Sequence, residues 1–247
     1  MLVFETIIVA FSMFSALPMP QIAWNARNMR YTLCAFPLVG VVIGLACWGW
    51  TALCDTLGLP ALLRGAGLCI LPVVLTGGIH LDGFADTWDA LSSHAAPQRK
   101  REILKDPHLG AFAAIHLGLY FVASFALWTE LPVFRPLPVV LLFTLSRTLS
   151  GLALTLFPLA PGSGLARSFA EAADRRRVRA VLLVLAVLLT AALLLCGGWG
   201  CVLAAAVVFG AYYRMTVREF EGLSGDLAGW FLQTAELWML AGYFFIK

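Results

Sequence analysis

The sequence predicts an all-α fold, a polytopic transmembrane helix bundle of about seven spans with an N-terminal interfacial or re-entrant helix. Three observations predict it. Of 247 residues, 61% are hydrophobic and 13% are charged, and mean hydropathy is +0.87; the charged share is about half that of a soluble domain. Apolar stretches near 20 residues recur between short polar breaks, the length a helix needs to cross about 30 Å of hydrocarbon. The basic residues also sort to one side of such a bundle, as membrane topology requires.

Taken in order, residues 1–17 (M-L-V-F-E-T-I-I-V-A-F-S-M-F-S-A-L) are apolar, but they lack a basic start, carry Glu5 and stop at P-M-P. They are expected to lie at the interface or re-enter rather than form a cleaved signal. Spans are expected near 36–54, 61–79, 111–129, 137–156, 180–197, 199–213 and 227–246. If the segment after the second span faces the cytoplasm, 13 of the 17 basic residues lie on that side: Arg27, Arg30, Arg99, Lys100, Arg101, Lys105, Arg167, Arg175, Arg176, Arg177, Arg179, Arg214 and Arg218. Arg64, Arg135 and Lys247 lie outside and Arg147 falls within a span. The strongly basic inner face suits anionic lipid head groups or a phosphorylated substrate; no nucleic acid is called for. The whole chain, 1–247, reads as one integral membrane domain whose cytoplasmic loop, 80–110, carries an acidic motif. The six cysteines have no paired metal spacing and read as small hydrophobic residues. Trp128, Trp199 and Tyr243 read as interfacial anchors.

The acidic motif is G-G-I-H-L-D-G-F-A-D-T-W-D-A-L, 77–91. On a helix, Asp82, Asp86 and Asp89 stand at i, i+4 and i+7, within an arc of roughly 60°. Carboxylates this close repel one another unless a cation neutralises them, and an oxygen-only cluster points to Mg²⁺, with Mn²⁺ as the substitute ion. Magnesium usually completes its shell with substrate phosphates. After a hinge at 95–97, Q-R-K-R-E-I-L-K-D-P-H-L-G supplies Arg99, Lys100, Arg101 and Lys105 for phosphate oxygens and Asp106 as a fourth carboxylate; the alternative is a basic helix resting on anionic lipid. Arg147 and Glu236 sit deep in predicted spans, where a charge costs roughly 2.5–3.5 kcal/mol. Two readings stay open for them, mutual neutralisation or, for Arg147, a substrate phosphate. E-G-L-S-G-D-L-A-G-W, 221–230, places three glycines around Asp226 before the last span, and P-G-S-G-L-A-R-S-F, 161–169, adds a second glycine-bearing loop with Arg167. His80 lies almost opposite Asp82 on a continuous helix and reads as a hydrogen-bonding residue.

These stretches resemble the cobalamin synthase family of adenosylcobinamide-GDP ribazoletransferases. The pattern G-G-x-H-x-D-G-x-A-D-x-x-D is matched at 77–89, and further similarity lies at 35–44 (A-F-P-L-V-G-V-V-I-G), 103–110, Ser146-Arg147 and 222–229 (G-L-S-G-D-L-A-G). The resemblance implies a multi-pass enzyme of the bacterial inner membrane with its site facing the cytoplasm. A ribose hydroxyl of α-ribazole, or of its 5′-phosphate, would attack adenosylcobinamide-GDP and expel GMP, with magnesium as the cofactor. Asp82, Asp86, Asp89 and Asp226 are then the expected metal ligands, and Asp89 or Asp106 the proton acceptor. Lys105, Arg147 and Arg167 would clamp phosphate, and His80 and Glu236 complete the substrate-binding set. Membrane lipid is an expected partner, and a homo-oligomer is left open. Two departures stand out: Ser15-Ala16 precede Leu17-Pro18-Met19-Pro20 where relatives commonly have Thr-Arg, and Pro107 stands where they tend to have Ser.

Three rival classes fit less well. An intramembrane prenyltransferase would need a second aspartate cluster, a CDP-alcohol phosphotransferase would need an arginine this motif lacks, and a transporter would show inverted repeats.

Overall fold

The computed structural model describes residues 2–246; Lys247, counted above on the outer side, lies outside the described residues. Among these, twelve helices are joined by short turns: α1 (Leu2–Phe14), α2 (Ala26–Met29), α3 (Thr32–Leu57), α4 (Ala61–Thr76), α5 (Ile79–Ser92), α6 (Pro97–Ile103), α7 (Ala111–Thr129), α8 (Pro136–Leu156), α9 (Gly164–Ala172), α10 (Arg175–Leu195), α11 (Trp199–Phe220) and α12 (Gly225–Tyr243). The one β-bridge among the described residues pairs Leu159 with Leu223.

All seven expected spans are helices. Five of them, α3, α7, α8, α10 and α11, are long and apolar enough to cross a membrane unaided, and α4 qualifies only together with α5, from which it is bent by 95°. We read α4 as the crossing segment and α5 as lying at the end of the bundle, outside the spans. The bend has a local cause: Gly77 and Gly78 both adopt positive φ, +64° and +76°, a conformation that costs glycine little and other residues much. The 13 residues of α1 rise only about 20 Å, short of a bilayer. α12 is less apolar than these five because it carries Asp226, Gln233 and Glu236, yet it is buried on nearly every side and returns along α11, meeting Gly200 at Gly242.

The centre of the bundle is α8 against α3. A Cβ at Gly44 would stand 2.5 Å from the Val140 Cα, and one at Gly40 would overlap the Phe143 carbonyl. These two glycines, four residues apart, let the helix backbones touch, the packing that membrane helices favour in the absence of a hydrophobic drive between them. The segment 80–110 is mostly helical, forming α5 and α6, the latter started by Pro97 in its first turn. Two expectations are corrected here. Trp128 and Tyr243 are not interfacial anchors but are buried, at 4% and 2% exposure. The Tyr243 hydroxyl instead accepts from the Arg135 amide (2.7 Å) and donates to the Val133 carbonyl (3.2 Å), closing the α7–α8 turn. Trp199 is exposed, as an anchor should be.

Candidate active site

The site is built where α5 crosses the start of α12. The crossing depends on two residues without side chains: a Cβ at Gly83 would lie 2.7 Å from the Asp226 Cα, and one at Gly229 would lie 2.6 Å from the His80 carbonyl oxygen. Gly83 therefore explains a glycine inside a helix that would otherwise be weakened by it. It brings Asp226 of α12 to the aspartate row of α5. The consequence is electrostatic. Burial first, and then the charges of Asp82, Asp226 and Asp89, push the half-buried Asp86 carboxyl up to about 7, as expected of carboxylates gathered without a counter-charge. Asp89 lies against the first residue before α7, where a Cβ on Gly110 would overlap its carboxylate.

Among the described residues no three His, Cys, Asp or Glu side chains converge on one point tightly enough to hold an ion alone. The donor set, four carboxylates with Asp86 in their midst, nonetheless fits a hard divalent cation that takes one or two protein carboxylates and completes its shell elsewhere.

A cavity of about 430 Å³ opens beside this crossing, with Asp82 and Asp226 in its lining. Arg101 and Lys105 line it too. The helix carrying Arg101, α6, is latched to the end of α11: the buried Lys100 pairs with Glu219 (2.5 Å), and Arg101 donates to the Phe220 carbonyl (3.2 Å) and pairs with Glu221. The Lys105 ammonium rests over the 161–164 turn, 3.3 Å from where a Cβ on Gly162 would be. Ser224 and Gly225, at the N-terminus of α12, complete this wall. The Ser224 hydroxyl caps the helix at the Leu227 amide (3.4 Å), and the remaining first-turn amides form an end that favours anions. His80 also lines the cavity; burial, and then the Arg147 charge, push its imidazole down to about 3, so it is neutral.

The structure divides the expected site residues. Asp82, Asp226, His80 and Lys105 line the cavity, and Asp86 and Asp89 belong to the same acid row. Asp106 is exposed, accepting from the His108 amide at 3.0 Å and contacting its ring nitrogen at 2.7 Å. Arg167 is exposed at the 160–164 loop, donating to the Ala160 carbonyl (3.3 Å) and standing 3.7 Å from Glu171. Neither of these two lines the cavity. Arg147 and Glu236 pair with each other. Arg147 Nη1 donates to Glu236 Oε1 (2.5 Å), to the Phe143 carbonyl (3.0 Å) and to Ser146 Oγ (3.1 Å), and the Ser146 hydroxyl also donates to Glu236 (2.8 Å). Both side chains are buried, and neither lines the cavity. Of the two readings open for them, the structure adopts mutual neutralisation. Sequence reasoning missed the aromatic side of the cavity, Phe14, Phe36 and Phe169: Phe36 and Phe169 lie in stretches singled out above, but only the folding of three distant segments together brings the rings to one place.

The chain is similar to known proteins of one family. Residues 6–244 match the family model described as cobalamin-5-phosphate synthase. The chain is 39% identical over 235 residues to the adenosylcobinamide-GDP ribazoletransferase of Lachnoclostridium phytofermentans, covering 93% of this chain and 89% of the relative. It is 34% identical to the enzyme of that name from Desulfitobacterium hafniense (96% and 95% covered) and 35% identical to that from Pseudomonas putida (95% and 96% covered). No solved structure matches the chain.

Proposed function

The chain belongs to the cobalamin-5-phosphate synthase family and acts as an adenosylcobinamide-GDP ribazoletransferase, the nucleotide-loop assembly step of cobalamin biosynthesis; from that premise we propose how its cavity performs the transfer. The observation that carries the reading is a single cavity in which Asp82 and Asp226 stand with Arg101 and Lys105. Arg101, Lys105 and the first amides of α12 hold the non-bridging oxygens of the diphosphate that links cobinamide to guanosine. Asp82, Asp86 and Asp226, with Asp89 beside them, would hold Mg²⁺, or Mn²⁺ in its place. Magnesium there supplies charge neutralisation of the diphosphate and of the leaving phosphate.

A ribose hydroxyl of α-ribazole or its 5′-phosphate attacks the phosphorus on the cobinamide side. The new O–P bond forms as the bridging P–O bond breaks, and GMP leaves with the bridging oxygen. The hydroxyl proton goes to a carboxylate, and Asp89 is better supported than Asp106 because it shares the acid face while Asp106 is exposed and occupied by His108. The cavity is far smaller than a corrinoid, so the macrocycle stays at its mouth. The basic residues of the sequence support a site facing the cytoplasm from a bacterial inner membrane, with anionic lipid around it.

The test is GMP release by the purified protein in liposomes given adenosylcobinamide-GDP and α-ribazole. We expect release with Mg²⁺, none after chelation, and a loss of at least about a hundredfold in Asp82→Asn and Asp86→Asn, in keeping with the electrostatic share of such reactions. No GMP from wild type overturns the activity; release indifferent to chelation overturns the metal.

A further inference from the structure

Part of the cavity lining is aromatic. Phe14 at the end of α1 stacks on Phe36 of α3 (ring centroids 4.1 Å) and lies 5.8 Å from Phe169 of α9. Phe36 in turn stands 6.0 Å from the His80 ring. Trp24, 42% exposed, extends the row outward, 6.3 Å from Phe169. Met13, Ile79 and Leu154 fill the same side. Five helices, α1, α3, α5, α8 and α9, thus converge to line one cavity with aromatic and aliphatic faces next to the proposed diphosphate site.

We infer that this wall, Phe14, Phe36 and Phe169, is the subsite for the base of the ribazole substrate. The inference rests on the transferase reading above. Two nucleoside bases take part in that reaction, and their chemistry separates them. Guanine presents N7 and O6 acceptors on one edge and amino and imino donors on another, and burying those groups without partners costs free energy for each. The rings of Phe14, Phe36 and Phe169 offer no hydrogen-bonding group to pair with them. The base of ribazole is a methylated benzimidazole, planar and apolar, with no donor once it is joined to ribose. Such a ring is stabilised by stacking and by removal from water. Seated there, its ribose extends toward Asp82 and Asp226 of the same lining, and the guanosine is left outside the apolar side.

The test separates the two substrates. KM is measured for α-ribazole at saturating adenosylcobinamide-GDP, and for adenosylcobinamide-GDP at saturating α-ribazole, in wild type, Phe14→Ala, Phe169→Ala and the volume-keeping Phe14→Leu and Phe169→Leu. Stacking on an aromatic side chain corresponds to roughly 5- to 150-fold in affinity per base. The expected result is a KM for α-ribazole raised about tenfold or more in the alanine variants and less in the leucine variants, with the KM for adenosylcobinamide-GDP within about twofold of wild type. A second arm titrates the metal-free proteins with α-ribazole alone by calorimetry; the alanine variants should lose the binding that wild type shows. Unchanged KM for α-ribazole, or a rise confined to adenosylcobinamide-GDP, overturns the assignment while wild-type turnover leaves the transferase reading intact. No wild-type turnover refutes the transferase reading, and with it this inference. If an alanine variant does not fold, the leucine pair decides on the same criterion.

Discussion

Removing one member of the Arg147–Glu236 pair should cost far more than removing both. Arg147 is 1% exposed and Glu236 is 6% exposed, and two hydrogen bonds to Glu236, from Arg147 (2.5 Å) and from Ser146 (2.8 Å), join α8 to α12. Breaking such a pair leaves an uncompensated charge in a place where water cannot reach it, at about 3–5 kcal/mol. The two single variants are not equivalent. Glu236→Leu leaves a guanidinium that cannot shed its proton, whereas Arg147→Met leaves a carboxylate that can take one up. The first should therefore be the more damaging. With roughly 2–4 °C per kcal/mol for a chain of this size, Glu236→Leu should lower the midpoint of thermal unfolding in detergent by about 10 °C or more. The double variant Arg147→Met/Glu236→Leu should recover to within about 1–2 kcal/mol of wild type, because an apolar pair of similar volume is often as stable as the ions it replaces. Its GMP release should stay within about tenfold of wild type, since neither residue lines the cavity. A double variant that folds normally but loses turnover a hundredfold, with a raised KM for adenosylcobinamide-GDP, would show that Arg147 grips phosphate after all and that the pair is not structural.

Gly83→Ala should keep the helix content but lower turnover by about a hundredfold, because its Cβ would meet the Asp226 backbone at 2.7 Å and displacing a catalytic group by about 1 Å costs that much; circular dichroism alongside GMP release checks both halves. The contribution of Asp86 to the stability of the metal-free protein should fall as pH rises from about 4 to about 7, because its folded-state carboxyl is raised from 3.8 to about 7 and holds a proton there that the unfolded chain has lost. His80, lowered from 6.5 to about 3, contributes in the opposite sense, so the test is the difference between wild type and Asp86→Asn in a thermal-melt series across pH: the variant should gain stability relative to wild type as pH rises through that range, and a difference that does not change with pH would remove the crowding of carboxylates.

The parts of the site that depend on one segment were legible in the sequence. The spacing of Asp82, Asp86 and Asp89 sets them on one helical face whatever packs nearby, and the double glycine before them marks the turn that starts α5. What depends on a partner helix was not. The depth of Arg147 and Glu236 showed that each charge needed an answer, but the local pattern could not say that they answer each other across 89 positions. Asp106 was attractive because it follows four basic residues, yet Pro107 and the turn to His108 carry it to solvent. α12 was expected as an ordinary span, and its polar residues turn out to be those that meet α5, α7 and α8: Asp226 beside Gly83, Gln233 accepting from the Tyr120 hydroxyl at 2.5 Å, and Glu236 at Arg147. Burial by protein on nearly all sides, rather than by lipid, is why its hydropathy is low.

The order in which the cavity's walls leave the ribosome has a consequence for how the protein is made. Its lining begins at Met13 and ends at Leu232, so every helix that touches it must already be inserted before the last one closes the ring. Until α12 arrives, Asp82 and Asp86 lack the facing Asp226 and the backbone at Gly83 lies uncovered, so a chain that stops short of α12 should be left with an open, polar seam. A stop codon just ahead of residue 225 should accordingly yield rapid turnover of the polypeptide rather than a slow enzyme.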